Sequence, residues 1–151
     1  SDLHFHPAEL YKEIESYSNP FDFIAKSAAF TQLASGFNDD MSQANSLRPL
    51  MSDERCAAYL LPDAPWARRV SGNFANKLAN ENPGCAHAVI TTNHSGDYTV
   101  SVRASLVNPQ GADVLCLQFG TGGGRKAAAG INHLPIGMLN YFVTRFKQHF
   151  G

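Results

Sequence analysis

The chain has 151 residues, of which 44% are hydrophobic, and a formal net charge of -1. This length and composition predict one domain, or a domain with an appendage, that is large enough to bury a core. The charge excludes a broadly basic surface that coats nucleic acid, so any anion-binding site must be local.

Targeting signals and metal-type cysteine motifs are absent from the sequence. No apolar run approaches the length of a membrane span, and the N-terminal residues do not form a signal peptide. The cysteines Cys56, Cys85 and Cys116 are far apart and lack CxxC spacing. They indicate thiols in a reducing compartment, so we expect a cytoplasmic protein without membrane contact. Because the chain begins at Ser1 without Met, we expect a piece of a longer protein.

Residues 1–50 have the pattern of helices. Pro7 stands at one helix start and acidic residues follow it. A second helical segment starts at Pro20 and ends before Pro49, and Asp39 and Asp40 are expected on its solvated face. Its apolar side chains recur at helical spacing: Phe23, Phe30, Leu33 and Phe37.

From residue 56 onwards strands and helices alternate. Strands are predicted at residues 56–61, 86–92, 98–105 and 127–135. Helices are predicted at residues 65–82, 111–120 and 136–150. Their apolar faces are Trp66, Val70, Phe74 and Leu78; then Val114, Leu115 and Phe119; then Ile136, Leu139, Phe142, Val143 and Phe146.

The short NHSGD connection at residues 93–97 cannot join parallel strands, so the two strands that it links are expected to be antiparallel. The pattern therefore predicts an α/β fold with α+β character. We expect a mixed sheet of about four to five strands, flanked by helices and preceded by an N-terminal helical segment.

The strand at residues 98–105 is the first candidate for binding. Alternation sends Tyr98, Val100, Val102 and Ala104 to one face, and Thr99, Ser101, Arg103 and Ser105 to the other. The polar face is either an ordinary solvent-facing surface or a clamp for phosphate or carboxylate. The clamp is considered because the donors of a guanidinium match such anions in pairs, whereas Thr and Ser are ordinary on a solvent-facing strand.

The stretch GTGGGRKAAAGINHLP, residues 120–135, is the second candidate. Its glycines Gly122, Gly123 and Gly124 would form a loop whose N–H groups converge on an anion, with Arg125 and Lys126 adding positive charge. It matches neither GxxxxGK[ST] nor GxGxxG. The alternative is a flexible turn with exposed cations. The small residues 127–130 favour backbone packed closely against a helix or a ligand.

His133 follows on the last predicted strand, where it is either a structural residue or part of the same site. His4 and His6 lack a third metal ligand. The sequence contains neither the clustered Asp and His of a two-metal centre nor a Ser/His/Asp order typical of a triad. We therefore assign no catalytic residue and no metal ligand in this chain.

An S-x-R strand (Ser101, Arg103), a short helix ending in QFGTGGG, a cationic position and AAAG together resemble the DHH-associated domain. This is the C-terminal domain of DHH-family phosphoesterases, which include RecJ-type exonucleases, oligoribonucleases and cyclic dinucleotide phosphodiesterases. The resemblance covers roughly residues 52–151. It implies that residues 51–151 are a substrate-binding domain, and that residues 1–50 are linker helices and the end of a catalytic domain.

In that family the glycine motif and the strand arginine hold phosphate or terminal nucleotide groups. By position, the family's GGGH corresponds to Gly122, Gly123, Gly124 and Arg125, so a permanent cation replaces the usual His. The resemblance implies that Arg103 holds a phosphate with these residues and that Lys126 assists, and we expect Ser101 and His133 to bind at the same site. We expect phosphate binding to survive or to strengthen with this replacement, whereas a permanent cation argues against a proton-transfer role at Arg125.

The family's metal-bearing chemistry lies on a separate N-terminal domain, and its DHH triplet is absent from this chain. The resemblance therefore implies a manganese-dependent hydrolase as the full-length protein and an inactive chain on its own. The expected partners are the missing DHH domain and a phosphorylated small molecule, a nucleotide or a short oligonucleotide.

Two other functions stay open. Related domains form the C-terminus of alanyl-tRNA synthetases, where they are associated with tRNA binding. The alternative function is therefore a non-catalytic RNA-binding module. Its helices at residues 7–37 and 136–150 are rich in aromatic residues. If a neighbouring domain is missing, exposed apolar surface on the first of these favours a homodimer.

Overall fold

The computed structural model describes residues 28–151, with side chains from residue 34 onwards. The helix expected after Pro7, the start of the next one at Pro20, and the two histidines His4 and His6 lie outside these residues. Helix α1 begins at Ala28 within the described part. The side chains of Phe23, Phe30 and Leu33 also lie outside it.

The described residues contain six strands and four α-helices in an alternating order. The strands are β1 (Met51–Ser52), β2 (Cys56–Leu60), β3 (Ala86–Thr92), β4 (Tyr98–Arg103), β5 (Gly122–Gly124) and β6 (Ala128–Leu134). The helices are α1 (Ala28–Asn45), α2 (Pro65–Glu81), α3 (Ala112–Cys116) and α4 (Leu139–Phe150), and a 3₁₀ turn (Ile136–Met138) precedes α4.

The strands form one mixed sheet in the order β1-β2-β3-β4-β6-β5. Strands β2 and β3 are parallel and joined by α2, while every other pair is antiparallel. The α/β class, the mixed sheet and the antiparallel β3–β4 pair are confirmed. The sheet has six strands rather than four or five. The two additions, β1 and β5, are two- and three-residue edge strands, too short to show alternation.

Helices α3 and α4 cover one face of the sheet and bury the larger core. Phe142 and Phe146 on α4 are fully buried and stack with centroids 6.1 Å apart, and Phe119 packs on Phe142 at 5.5 Å. Two residues of the predicted apolar faces are exposed instead, Val114 by 54% and Ile136 by 56%. Helix α3 has only five residues and turns Leu115 inward, while Ile136 lies in the 3₁₀ turn rather than in α4.

Helix α2 packs on the opposite face, across β3 and onto β4. The predicted spacing is confirmed for Val70, Phe74 and Leu78, which are buried, while Trp66 is half-buried. Burying such an apolar stripe is the main stabilising contribution of an amphipathic helix.

Helix α1 is joined to α2 by a buried ion pair. Arg69 donates from Nε to Asp40 Oδ2 at 2.9 Å and from Nη2 to Asp40 Oδ1 at 3.0 Å. Asp40 is only 3% exposed, so the expectation that it lies on a solvated helix face is wrong. The two-point contact compensates for the cost of burying the carboxylate, which a sequence pattern confined to one helix does not reveal.

The cysteines do not form a disulfide. Cys56 and Cys116 are buried, and burial raises the pKa of each thiol to about 12. Cys85 is half-buried, and its Sγ lies 3.3 Å from the Glu54 carbonyl oxygen. No helix within residues 28–151 is long and apolar enough to cross a membrane.

His87 is a buried polar residue on the α2 side of β3. It is 2% exposed, and its Nδ1 has no hydrogen-bond partner among the described residues. Burial lowers its pKa below the ordinary value of 6.5, because the charged imidazolium would lose its hydration. Its cross-strand partner is Arg103, so a neutral His87 also avoids placing two cations side by side.

We predict that the free energy of unfolding falls as the pH drops below about 6.5. In that range His87 becomes protonated in the unfolded chain but stays neutral in the folded protein. The contribution of His87 to the free energy of unfolding should decrease by at most about 1.4 kcal/mol per pH unit. Urea denaturation between pH 7.5 and 5.0 measures this slope. His87→Leu should flatten it. Equal slopes in the wild type and His87→Leu would contradict the prediction.

Candidate functional site: the open face of β4, β6 and β5

Strand β4 supplies the arginine of the candidate site. Its alternation is as predicted, because Val100 and Val102 are buried against α3 and α4, whereas Thr99, Ser101 and Arg103 are half-buried on the α2 side. On this face, helix α2 packs on β3 and on part of β4. Among the described elements, no helix packs extensively on β6 or β5 on this side. Arg103 therefore lies where the covered part of the sheet meets the open part.

The three glycines form the edge strand β5, not the predicted loop. Gly123 pairs with Gly130 of β6, and Arg125 donates its N–H to the Ala128 carbonyl oxygen at 2.8 Å. The segment is thus a β-hairpin whose turn contains Lys126. Its glycine N–H groups follow the strand and do not converge on one point.

Steric contacts explain two of the glycines but not the third. A Cβ on Gly122 would lie 1.7 Å from the Cys116 carbonyl oxygen. Gly124 has φ +139°, and a Cβ there would lie 2.5 Å from the Ala129 Cα. A Cβ on Gly123 would meet no atom within 4 Å. The fold needs the first two glycines, whereas at the third it leaves open space above the sheet.

The register brings most of the predicted residues together. Ser101 on β4, Gly130 on β6 and Gly123 on β5 form one cross-strand row. Arg103 is opposite Ala128, which in turn bonds to Arg125. The backbones of the two arginines are therefore two strands apart, roughly 10 Å.

We call this surface, defined by Ser101, Arg103, Gly123, Arg125 and Gly130, the open face. Lys126 lies beside it in the hairpin turn, where its side chain is exposed and its carbonyl oxygen accepts from the Ala112 N–H.

Arg103 is a half-buried cation, and the groups that accept its hydrogen bonds are neutral. Its Nε donates to Asn76 Oδ1 at 2.9 Å and its Nη1 to the Val102 carbonyl oxygen at 3.2 Å. No carboxylate pairs with it in residues 28–151. Burial lowers its pKa from 12.5, because the guanidinium loses hydration. A desolvated cation without a counter-ion favours binding an anion.

Asn76 is a residue of this site that sequence reasoning missed. It is on α2 and reaches the strand arginine across the helix–sheet boundary. In the sequence it looks like one of several polar residues on the exposed side of an amphipathic helix. The signal that distinguishes it is its contact with Arg103, which depends on how α2 crosses β4.

His133 is not brought into the open face. It lies near the opposite end of β6, roughly 16 Å along the strand from Ala128. Its Nδ1 is 3.1 Å from Asp97 Oδ1 in the β3–β4 turn, and its N–H donates to Thr121 Oγ1 at 2.8 Å. The hydrogen bond between His133 and Asp97 holds the pKa of the Asp97 carboxyl below its ordinary value. The contacts of His133 join the ends of two hairpins.

Within residues 28–151, no group of three or more His, Cys, Asp or Glu side chains is arranged to hold a metal ion. The described residues therefore do not fit a manganese centre. What the open face can do chemically is bind an anion through a guanidinium, a hydroxyl and unobstructed backbone.

Comparison with known proteins identifies a fold. No family model and no curated protein sequence matches the chain. A pGpG-specific phosphodiesterase, PggH, from Vibrio cholerae has a similar structure, with 10% identity over 97% of this chain and a TM-score of 0.63. RecJ from Thermus thermophilus, solved with Mn²⁺, is 17% identical over 87% of this chain, with a TM-score of 0.64.

An exopolyphosphatase-related protein from Bacteroides fragilis is 20% identical over 93% of this chain, with a TM-score of 0.57. The chain spans 51% of the PggH chain, 20% of the RecJ chain and 42% of the exopolyphosphatase-related chain. At these sequence identities the likeness shows the fold alone. The fold described above also occurs as a part of these three longer chains.

We predict that Gly122→Ala destabilises the protein and that Gly123→Ala does not. The first should lower the melting temperature by several degrees, because its Cβ would collide with the end of α3. The second should change the free energy of unfolding by no more than about 0.5 kcal/mol, because its Cβ enters open space. Thermal denaturation followed by circular dichroism measures both. Comparable losses in the two variants would show that the space above Gly123 is closed.

Proposed function

We propose that residues 51–151 are the substrate-binding domain of a DHH-family phosphoesterase, and that the open face binds a phosphate group of a nucleotide or short oligonucleotide. The observation that supports this most directly is Arg103, a desolvated cation with neutral partners beside the unobstructed Gly123. A fold that needed only a packed sheet would not retain such an uncompensated charge.

Two independent likenesses support the family. The S-x-R strand and the GGG motif resemble the DHH-associated domain, and RecJ-type exonucleases belong to the group with that domain. RecJ is also among the proteins whose structures are similar to this chain. The partial coverage of all three larger chains supports a domain that works beside another one.

The proposed binding mode uses each residue of the open face differently. Arg103 keeps donors beyond those given to Asn76 and Val102, and it would bond two phosphate oxygens. Gly123 would let the phosphate approach the backbone, and Ser101 would donate a hydroxyl. Arg125, exposed at the hairpin, would add charge where the family has His.

Catalysis would belong to a separate metal-bearing domain. We assign manganese to that domain, and we derive no reaction step from residues of this chain. The role of the open face would be to hold the substrate phosphate so that the neighbouring domain can act on the adjacent ester.

We predict that Arg103→Ala weakens binding of a 5′-phosphorylated trinucleotide at least about tenfold, because a charge-assisted hydrogen bond contributes about 1.5–3 kcal/mol. Arg125→Ala should weaken it less and reduce the salt dependence of binding. Fluorescence anisotropy at several salt concentrations measures both. Arg145→Ala is the control, because Arg145 is on α4 behind the sheet and bonds to Gln118.

Unchanged affinity in both Arg103→Ala and Arg125→Ala would reject the open face as the phosphate site. Transfer RNA serves as the competing ligand in the same assay. A strong preference for full transfer RNA over the trinucleotide would favour the RNA-binding module instead.

We also predict that the chain alone does not hydrolyse bis(p-nitrophenyl) phosphate or the trinucleotide with Mn²⁺. The DHH triplet is absent from the sequence, and residues 28–151 hold no cluster of metal ligands. Product release measured by absorbance and chromatography should match the buffer blank. Turnover that survives repeated purification and is abolished by chelation would refute the assignment of catalysis to another domain.

A further inference from the structure

A hollow of about 310 Å³ opens beside Arg103, on the side away from Gly123's strand. It lies between the C-terminal half of α2, the end of β4 and the start of β6. Its volume is at the lower end of the range for small-molecule sites. The residues that shape it are Asn76, Ala79, Asn80, Leu106, Ala127 and Ala128.

The hollow combines apolar walls with one side-chain amide that makes no hydrogen bond within the described residues. Its alanines present small, flat surfaces, and Leu106 is 50% exposed at its rim although it is large and apolar. Asn80 makes no side-chain hydrogen bond within the described residues, so its donor and acceptor are both available. Asn76 differs, because its Oδ1 accepts from Arg103.

The charges on the hollow restrict what it can bind. Arg103 is the one charged residue that lines the hollow in the described part of the chain. In the proposed function, its charge is already used to bind the phosphate on the open face. A second phosphate in the hollow would have no cation of its own. An uncharged, planar group with a polar edge fits the alanine walls, Leu106 and the Asn80 amide.

We infer that this hollow binds the nucleobase of the nucleotide whose phosphate lies on the open face. The inference rests on the proposed function and deepens it from a phosphate site to a nucleoside phosphate site. The base would lie against Ala127, Ala128 and Leu106. Its edge would pair with the Asn80 carboxamide, which can exchange two hydrogen bonds with a base such as adenine.

The spacing along α2 agrees with this arrangement. Asn80 follows Asn76 by one helical turn, so their Cβ atoms are roughly 6 Å apart on one side of the helix. Asn76 touches the guanidinium that would hold the phosphate, and Asn80 would touch the base. A ribose between base and phosphate spans a gap of this size.

The test is calorimetric titration of the 151-residue chain with adenosine 5′-monophosphate, guanosine 5′-monophosphate and ribose 5-phosphate. At least one nucleotide should bind about tenfold more tightly than the sugar phosphate. Asn80→Ala should weaken nucleotide binding about tenfold, because it removes both hydrogen bonds between the amide and the base. It should leave ribose 5-phosphate binding unchanged. Leu106→Ser should also weaken nucleotide binding selectively.

Asn73→Ala is the matched control, because Asn73 is on the same helix but does not line the hollow. It lies in a neighbouring groove that also includes Asn76 and Asn80. This variant should bind all three ligands as the wild type does. Circular dichroism verifies that each variant is folded.

The outcomes separate the two proposals. Equal binding of the nucleotides and ribose 5-phosphate would overturn the base site and leave the phosphate site intact. An equal loss of all three ligands in Asn80→Ala would also overturn the base site. If none of the three ligands binds, the phosphate site fails and the base site fails with it.

Discussion

The incomplete cover of one sheet face is the constraint on which the site depends. Helices α3 and α4 bury one face, whereas α2 extends over β3 and part of β4 on the other. A sheet face without a helix must hold residues that tolerate water, and β4, β6 and β5 supply Ser101, Gly130 and Gly123 there. Arg103 lies at the boundary, where it is partly desolvated and still reaches solvent.

The three glycines of the motif look alike in the sequence, but the fold requires a glycine at only two of the positions. Gly122 and Gly124 are needed by the fold, because α3 and β6 approach too closely for a side chain. Gly123 has no such neighbour, so packing within the described residues gives no reason for its small size. The hairpin thus brings the backbone to the open face and is itself held by packing on α3.

Several features of the fold were predictable because their signals are local. The helix spacing of Val70, Phe74 and Leu78 identified the buried side of α2, and a five-residue turn required antiparallel β3 and β4. Strand β5 was missed because three glycines have no side chains to alternate. Val114 was placed wrongly because one turn of helix does not define a face.

The candidate site was predictable in part. Ser101, Arg103, Gly123 and Arg125 were expected together and lie together, but the expected loop is a strand. His133 was grouped with them because it is near them in the sequence. In the sheet it is at the far end of β6 and pairs with Asp97. Distance along a strand separates residues that a motif treats as neighbours.

By itself, the sequence determined the order of the longer strands and helices. It also determined the face of β4 that holds Arg103, because the two-residue period of a strand is a local property. Only the tertiary structure decided which strands are neighbours, and hence that Gly123 lies beside Ser101 and that Asn76 meets Arg103. These contacts join residues more than twenty positions apart. Sheet order and register create them, and both follow from the packing of the whole domain rather than from any one segment.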